Sequence, residues 1–395
     1  MPRVTSRAVA VTLKDPSTKR LEKRMSVERD KQTAETLLGC CMTVPDAAAE
    51  KACPKAKSAH YAADARGLLG VIDVGSNTVR LCVYRLDGIE ERLAPGESVH
   101  CQEAGPESLP FTKIFDTKAS VGLASHMKDG ALDEAGIQAA CTALSQQREY
   151  AALLGCEDVR VFATAAVRNC ANSVSVVQAM QERSGLAVAV LSGIEEARLG
   201  LKGALWGRSL DEAADCVLAD VGGGSVELAR YQTASPLSSE DPTIFARSVP
   251  LGSLLAWEGY VAGLLPTQAE VIVIRQALRA LLQDQPFEQL RASTILGIGG
   301  SVRMVAKVCA VLQEGEGAPS LDALTPDMLD NLMTLNATDP QRLARIAARV
   351  DASRIHTFVP GCALIQEIFA ATRATTLRVS GTSVREGFVL EALGL

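Results

Sequence analysis

Two stretches of the chain, 147 positions apart, carry the same pattern, and this repeat restricts the possible folds more than any other feature. The first is Leu68-Leu69-Gly70-Val71-Ile72-Asp73-Val74-Gly75-Ser76-Asn77-Thr78-Val79-Arg80-Leu81-Cys82-Val83-Tyr84, and the second runs from Val217 to Tyr231. One ungapped offset pairs Asp73 with Asp220, Val74 with Val221, Gly75 with Gly222, Val79 with Val226, Leu81 with Leu228 and Tyr84 with Tyr231, and sets Thr78 against Ser225. Each copy reads as an apolar strand, a turn of small residues and an alternating strand, the pattern of a β-hairpin. A period this long is a domain rather than a solenoid unit. At 395 residues the chain has room for two domains, each opening on a D-x-G hairpin.

Helix and strand signals alternate between and after the hairpins, which predicts an α/β fold. Helical spacing of apolar residues predicts helices over 132–154, 173–184 and Ile194–Leu205, with strands at Val159–Ala163 and Ala187–Leu191. In the second half, strands are predicted at 216–221, 226–231, 244–249 and 294–298. Helices are predicted at 252–263, 267–283, 301–312, 325–334, 340–348, 360–373 and 384–393, the final one packing back on the first domain. Pro236–Pro242 and Gly315–Pro319 read as loops.

Composition narrows the class. An apolar fraction of 47% excludes a wholly disordered chain, and the longest apolar runs, such as Leu186–Leu191, are strand-sized. None approaches the ~20 residues that span a bilayer. The N-terminus lacks the continuous apolar core of a secretory signal. Eleven cysteines, an odd number without a CxxC pair, and four scattered histidines argue for reduced thiols and against a zinc site, so a cytoplasmic location is expected. Charge is uneven. Residues 1–66 hold 13 Lys/Arg against 8 Asp/Glu, a net of +5, and the remainder holds 27 against 38, a net of −11. This basic leader, with helical potential at 17–38 and 46–58 but no strand-and-turn pattern, is expected to be a poorly ordered extension.

A D-x-G-[SG]-[NG]-[ST] hairpin turns successive backbone N–H groups into one concavity, with glycine allowing close approach and φ > 0. Such a nest suits phosphate oxygens. The Asp at each hairpin entrance can hold Mg²⁺, which commonly binds one or two carboxylates plus substrate phosphates. A third cluster, Gly297-Ile298-Gly299-Gly300-Ser301-Val302-Arg303, joins a strand to a helix and suits an anion or a tight turn equally. Glu196 opens a helix that Ser192 can cap, and Glu195 beside it favours the helix dipole. Glu227 stands on the outgoing strand of the second hairpin where the first has Arg80, an asymmetry that gives it an individual role or leaves it a solvated strand carboxylate.

These motifs, in order, resemble the exopolyphosphatase/guanosine pentaphosphate phosphohydrolase (Ppx/GppA phosphatase) family. The resemblance rests on Gly70–Tyr84, Ala163–Asn172, Leu191–Gly200, Val217–Tyr231, Ile295–Ala306 and the closing Val379-Ser380-Gly381-Thr382-Ser383-Val384-Arg385-Glu386-Gly387. It covers roughly 67–395 and implies two actin-like (ribonuclease H-like) α/β domains of the acetate and sugar kinase, chaperone and actin superfamily, at 67–195 and 196–395, with a cleft between them. It implies Glu196 as the catalytic carboxylate that activates water, Glu227 as catalytic and metal-binding, and Asp220 and Asp73 as further Mg²⁺ ligands. Ser76, Asn77, Thr78, Gly222, Gly223, Gly224 and Ser225 match phosphate-loop positions, and Arg168 matches an arginine that contacts the phosphate chain. The expected activity is Mg²⁺-dependent release of terminal orthophosphate from inorganic polyphosphate or pppGpp. A superfamily kinase or ATPase, or a non-catalytic polyphosphate or nucleotide sensor, are the alternatives. A guanosine penta- or tetraphosphate or a polyphosphate is the expected partner, with no membrane, no sequence-specific nucleic acid, and a homodimer as the assembly. The third glycine cluster departs mildly from the commoner G-x-G-G-T.

Overall fold

Strands form where the apolar runs lie. β1 (Leu68–Val74) is buried from Leu69 to Ile72, as expected of a central strand covered on both faces. β2 (Thr78–Arg85) returns antiparallel to it and β3 (Thr112–Ser120) continues antiparallel at the edge. The short β4 (Met127–Lys128) and β5 (Ala131–Leu132) pair separately. α1 (Glu134–Leu153), capped by Asp133, crosses back to β6 (Asp158–Ala163), parallel to β1. α2 (Ala165–Arg168) and α3 (Ser173–Ser184) then lead to β7 (Val188–Val190), which completes the sheet in the order β3-β2-β1-β6-β7. These are parts of the described residues: 67–86, 109–206, 208, 213, 215–232, 243–283, 287–315 and 319–395 of a computed structural model. The leader, with its candidate helices, and the loop Pro236–Pro242 lie outside them, as do residues 316–318 of the Gly315–Pro319 loop.

The second sheet repeats the first. α4 (Gly193–Leu205) leads to β8 (Cys216–Val221), β9 (Val226–Gln232) and β10 (Thr243–Val249). α5 (Ser253–Tyr260), α6 (Gln268–Gln283), β11 (Thr294–Ile298) and α7 (Gly299–Glu314) follow. Then come β12 (Ala323–Leu324), α8 (Pro326–Thr338), α9 (Pro340–Asp351), α10 (Ile355–Thr372), β13 (Thr376–Val379) and α11 (Val384–Ala392). The order is β10-β9-β8-β11-β13-β12, antiparallel on the hairpin side of β8 and parallel between β8, β11 and β13. The five strands of the first sheet have counterparts in the second, which adds β12 antiparallel at its edge, so the fold is an α/β arrangement of two like sheets.

Two helices tie the sheets together. Phe162 of the first sheet and Phe388 of α11 place their rings 5.0 Å apart, and one apolar core holds Leu69, Val71, Leu199, Leu218, Leu296 and Leu390. The final helix therefore does return to the first sheet. Its polar tie is the buried Tyr84 hydroxyl, which donates to Glu386 at 2.7 Å. α4 and α11 cross closely at two glycines. A Cβ on Gly203 would lie 2.8 Å from the Ser383 carbonyl, and a Cβ on Gly387 would overlap the Leu199 carbonyl. The division expected between residues 195 and 196 falls inside α4, whose first turn carries both glutamates.

Some elements escaped the sequence reading. β3 is a charged, mostly exposed edge strand, TKIFDTKAS, without an apolar stripe to announce it. α10 begins at Ile355 and not at Pro360, because a proline just past the first turn removes only one intrahelical donor and here sits fully packed. Among the described residues, no helix is long and apolar enough to cross a membrane, and the seven cysteines are free thiols.

The crossing predicts a sharp contrast. Gly387→Ala must separate the two helices and should lower stability by roughly 1–3 kcal/mol. Gly381→Ala, where an added Cβ meets nothing within 4 Å, should stay within about 0.5 kcal/mol of the parent in denaturant unfolding.

Candidate active site

The two hairpin turns face each other. Gly75 N–H donates to the Thr78 carbonyl at 3.0 Å, and Gly222 N–H donates to the Ser225 carbonyl at 3.0 Å, so both turns close in the same way. Ser76 of the first turn lies against Gly223 and Gly224 of the second, where a Cβ on Gly224 would strike its hydroxyl. Close approach is thus what these glycines provide. The left-handed φ expected of them is absent; it occurs in the third cluster, at Gly299, with φ of 91°. Ser76, Asn77, Thr78, Gly222, Gly223, Gly224 and Ser225 all border one cleft of about 140 Å³. The third cluster borders it too. Gly299 leaves space for the Asp220 carboxylate and Gly300 for the Arg354 guanidinium.

Strand register sets the charges. Asp73 pairs with Arg80 across the first hairpin, and Asp220 pairs with Glu227 across the second. Directly opposed residues share a sheet face, so one hairpin matches an anion to a cation and the other sets two carboxylates together. Burial pushes the Asp220 carboxyl up to about 6, and the Asp73 charge adds to this. Burial pushes Glu196 up to about 7, although Arg168 pulls it down. Glu227, 1% exposed, is raised well above the carboxylate range by burial and by the charges of Glu196 and Asp220. Asp73 is also raised by burial, against the pull of Arg385.

The neighbouring glutamates have separate tasks. Ser192 accepts from Glu195 N–H at 3.1 Å while the Glu195 carboxylate accepts from Ser192 N–H at 2.7 Å, a capping box that spends Glu195 on the helix start. Glu196, one position on, is buried and borders the cleft.

Arg168 and Glu227 lie beside Glu196, off the lining of the cleft. Arg168 Nη1 donates to Glu196 Oε2 at 2.7 Å and to the Leu191 carbonyl at 2.9 Å, while Nη2 lies 3.5 Å from Glu227 Oε1. Glu227 also accepts from Ser248 Oγ at 2.7 Å. Two buried carboxylates need a cation close by, and Arg168 supplies it, set between Glu196 and Glu227.

The cations facing the cleft are others: Arg80, Arg303, Arg354 and Arg385. Arg80 grips Asp116 with Nε at 2.7 Å and Nη2 at 2.6 Å, and Arg385 Nη1 donates to Asp73 Oδ2 at 2.8 Å. Burial lowers Arg303 to about 10, still charged at neutral pH. Three of these sit inside motifs visible in the sequence; Arg354, in a one-turn link before α10, carries no local signal. Among the described residues no three His, Cys, Asp or Glu side chains converge as a metal cage. The donor set nonetheless fits Mg²⁺. Asp220 makes no side-chain hydrogen bond within the described residues, Asp73 borders the same cleft, and Mg²⁺ needs only one or two carboxylates when phosphates complete its shell.

Residues 101–395 match the Ppx/GppA phosphatase family. The chain belongs to that family. It is 26% identical over 335 residues to exopolyphosphatase 1 of Mycobacterium leprae, covering 82% of this chain and 89% of that one. It is likewise 26% identical over 334 residues to exopolyphosphatase 1 of Mycobacterium tuberculosis, covering 82% and 88%. Among solved structures, an exopolyphosphatase from Cytophaga hutchinsonii superposes with a TM-score of 0.64 at 18% identity, over 83% of this chain and 98% of that one. The Aquifex aeolicus Ppx/GppA enzyme gives 0.58 at 21% identity, over 82% and 99%. At these identities the solved structures speak for the fold alone.

The Arg168 ion pair makes a prediction that needs no turnover. In protein labelled with ¹³C at glutamate side chains, Glu196 should titrate near pH 7. Arg168→Met removes the charge that favours its ionised form and should move that midpoint upward by roughly 1–3 pH units.

Proposed function

We propose that the chain is a phosphoanhydride hydrolase that releases terminal orthophosphate from inorganic polyphosphate or from pppGpp. The observation that carries this reading is the convergence, on one cleft, of two facing glycine-serine turns, four arginines and the buried Glu196. The turns and arginines suit a chain of phosphates, and a carboxyl near 7 suits a base working at neutral pH. The curated relatives named exopolyphosphatase support the same reading.

The chain's residues divide the work. Backbone N–H groups of the hairpin turns and the cleft arginines hold the phosphate oxygens and position the terminal phosphorus. Glu196 accepts a proton from a water molecule whose oxygen bonds to that phosphorus, while the bond from phosphorus to the bridging oxygen breaks. The bridging oxygen leaves with the shortened chain. Arg168 holds the Glu196 carboxylate at Oε2 and steadies its ionised form. Mg²⁺, held by Asp220 and Asp73, would screen the phosphate charge and stabilise what accumulates on the leaving oxygen. Since the rate requires ionised Glu196, kcat/KM should rise with pH through about 7.

The test is orthophosphate release from short polyphosphate, long polyphosphate, pppGpp and ATP, each with and without Mg²⁺. Glu196→Gln should cost roughly 10²–10⁴ in kcat, because the amide still orients water but accepts no proton. Glu195→Gln should cost little, since glutamine also completes a capping box. Asp220→Asn should raise the Mg²⁺ concentration for half-maximal rate. Near-full turnover by Glu196→Gln on every substrate would sink the assignment of the base, and release from none of the four would sink the hydrolase.

A further inference from the structure

The first turn of the last helix carries a guanidinium with one of its five N–H donors engaged by a described residue. Arg385 is 8% exposed and borders the cleft beside Ser383 and Val384. Its Nη1 is engaged by Asp73 Oδ2 at 2.8 Å. Its Nε is buried without a hydrogen-bond partner, and no described residue accepts from its Nη2. Nε and Nη2 form one edge of the planar group, the edge that takes two oxygens of a single acid. Arg80 shows this use in the same cleft, giving Nε and Nη2 together to Asp116 at 2.7 and 2.6 Å. In Arg385 the corresponding edge has no acceptor among the described residues. A buried donor without an acceptor is costly, and the cost is recovered when a ligand supplies one.

The surroundings hold this edge in place. Glu386, the next residue, accepts from Tyr84 at 2.7 Å and from Ser383 Oγ at 2.6 Å, which fixes the helix start against the first sheet. Val384–Ala392 has its N-terminus at the cleft, where the helix dipole favours negative charge. The same helix crosses α4 at Gly387, so Arg385 and Glu196 ride on two elements in backbone contact.

We propose that Ser383–Arg385 is a third phosphate subsite, in which the Nε/Nη2 edge of Arg385 binds two oxygens of one phosphoryl group while Nη1 stays on Asp73. The subsite rests on the phosphoanhydride reading above, and it assigns Arg385 to substrate binding as well as to the neutralisation of Asp73. A purely structural Arg385 would need only its charge; the subsite needs the forked edge. Lysine supplies the charge without the fork.

The experiment compares the parent with Arg385→Lys by calorimetric titration with inorganic tripolyphosphate in metal-free buffer, and by steady-state kinetics on the same compound with Mg²⁺. The parent binds, and Arg385→Lys shows Kd and KM raised roughly 10–100-fold with kcat within about threefold, the loss expected for a charge-assisted pair of hydrogen bonds. Equal binding by parent and variant overturns the subsite and leaves the hydrolase reading intact. A fall in kcat at unchanged KM also overturns it. A parent that binds no tripolyphosphate overturns the subsite, and orthophosphate release from the four substrates above decides the hydrolase reading separately. If Arg385→Lys fails to fold cooperatively, Asp73→Asn is compared with Asp73→Asn/Arg385→Gln, both checked first for cooperative unfolding. Tripolyphosphate binding at least tenfold weaker in the double variant supports the subsite, and equal binding overturns it.

Discussion

The cleft is governed by the cost of packing carboxylates where water is scarce. Asp220 and Glu227 are cross-strand neighbours, and Glu196 approaches them from the start of α4. Each is raised above its ordinary pKa, with burial the leading cause every time. Arg168 offsets part of this cost from behind, touching Glu196 and Glu227 together. The remainder is left on the side facing the cleft, which Arg80, Arg303, Arg354 and Arg385 also border. A site built this way sets cations beside carboxylates and, chiefly through burial, keeps the Glu196 carboxyl near neutrality.

The two hairpins share one frame and differ at one charged position. Both hairpins put an aspartate at the same place, but its cross-strand partner is Arg80 in one and Glu227 in the other. The first hairpin is therefore near neutral and the second carries excess negative charge. The two sheets are tied together by helices that approach to backbone contact at Gly203 and Gly387, and both hairpin turns border one cleft. The helix crossing and the electrostatics depend on each other: the last helix brings Arg385 to Asp73 only because it lies this close to α4.

Much of this was legible in the sequence because the repeat is strict. A single offset located both hairpins, and apolar periodicity located most helices to within a few residues. The edge strand Thr112–Ser120 was hidden because one ladder side and most of its side chains face water, leaving no apolar alternation. At the site, Glu196 and Asp220 could be picked out from their motifs, and both border the cleft. Which side of the cleft wall Arg168 and Glu227 occupy could not be read, since that depends on the one-turn helix Ala165–Arg168 and on the register that sets Ser248 of β10 opposite Glu227. Arg354 was invisible for a similar reason: it reaches the cleft through the gap at Gly300, a pairing across 54 residues of sequence that no local pattern encodes.

The central claim is that water, deprotonated at Glu196, attacks the terminal phosphorus. Its most direct test is turnover of polyphosphate in H₂¹⁸O, with mass analysis of both products. One solvent-derived ¹⁸O in each released orthophosphate, and none in the shortened chain, is the expected result. Label in the shortened chain, or unlabelled phosphate passed to an added acceptor, would contradict it.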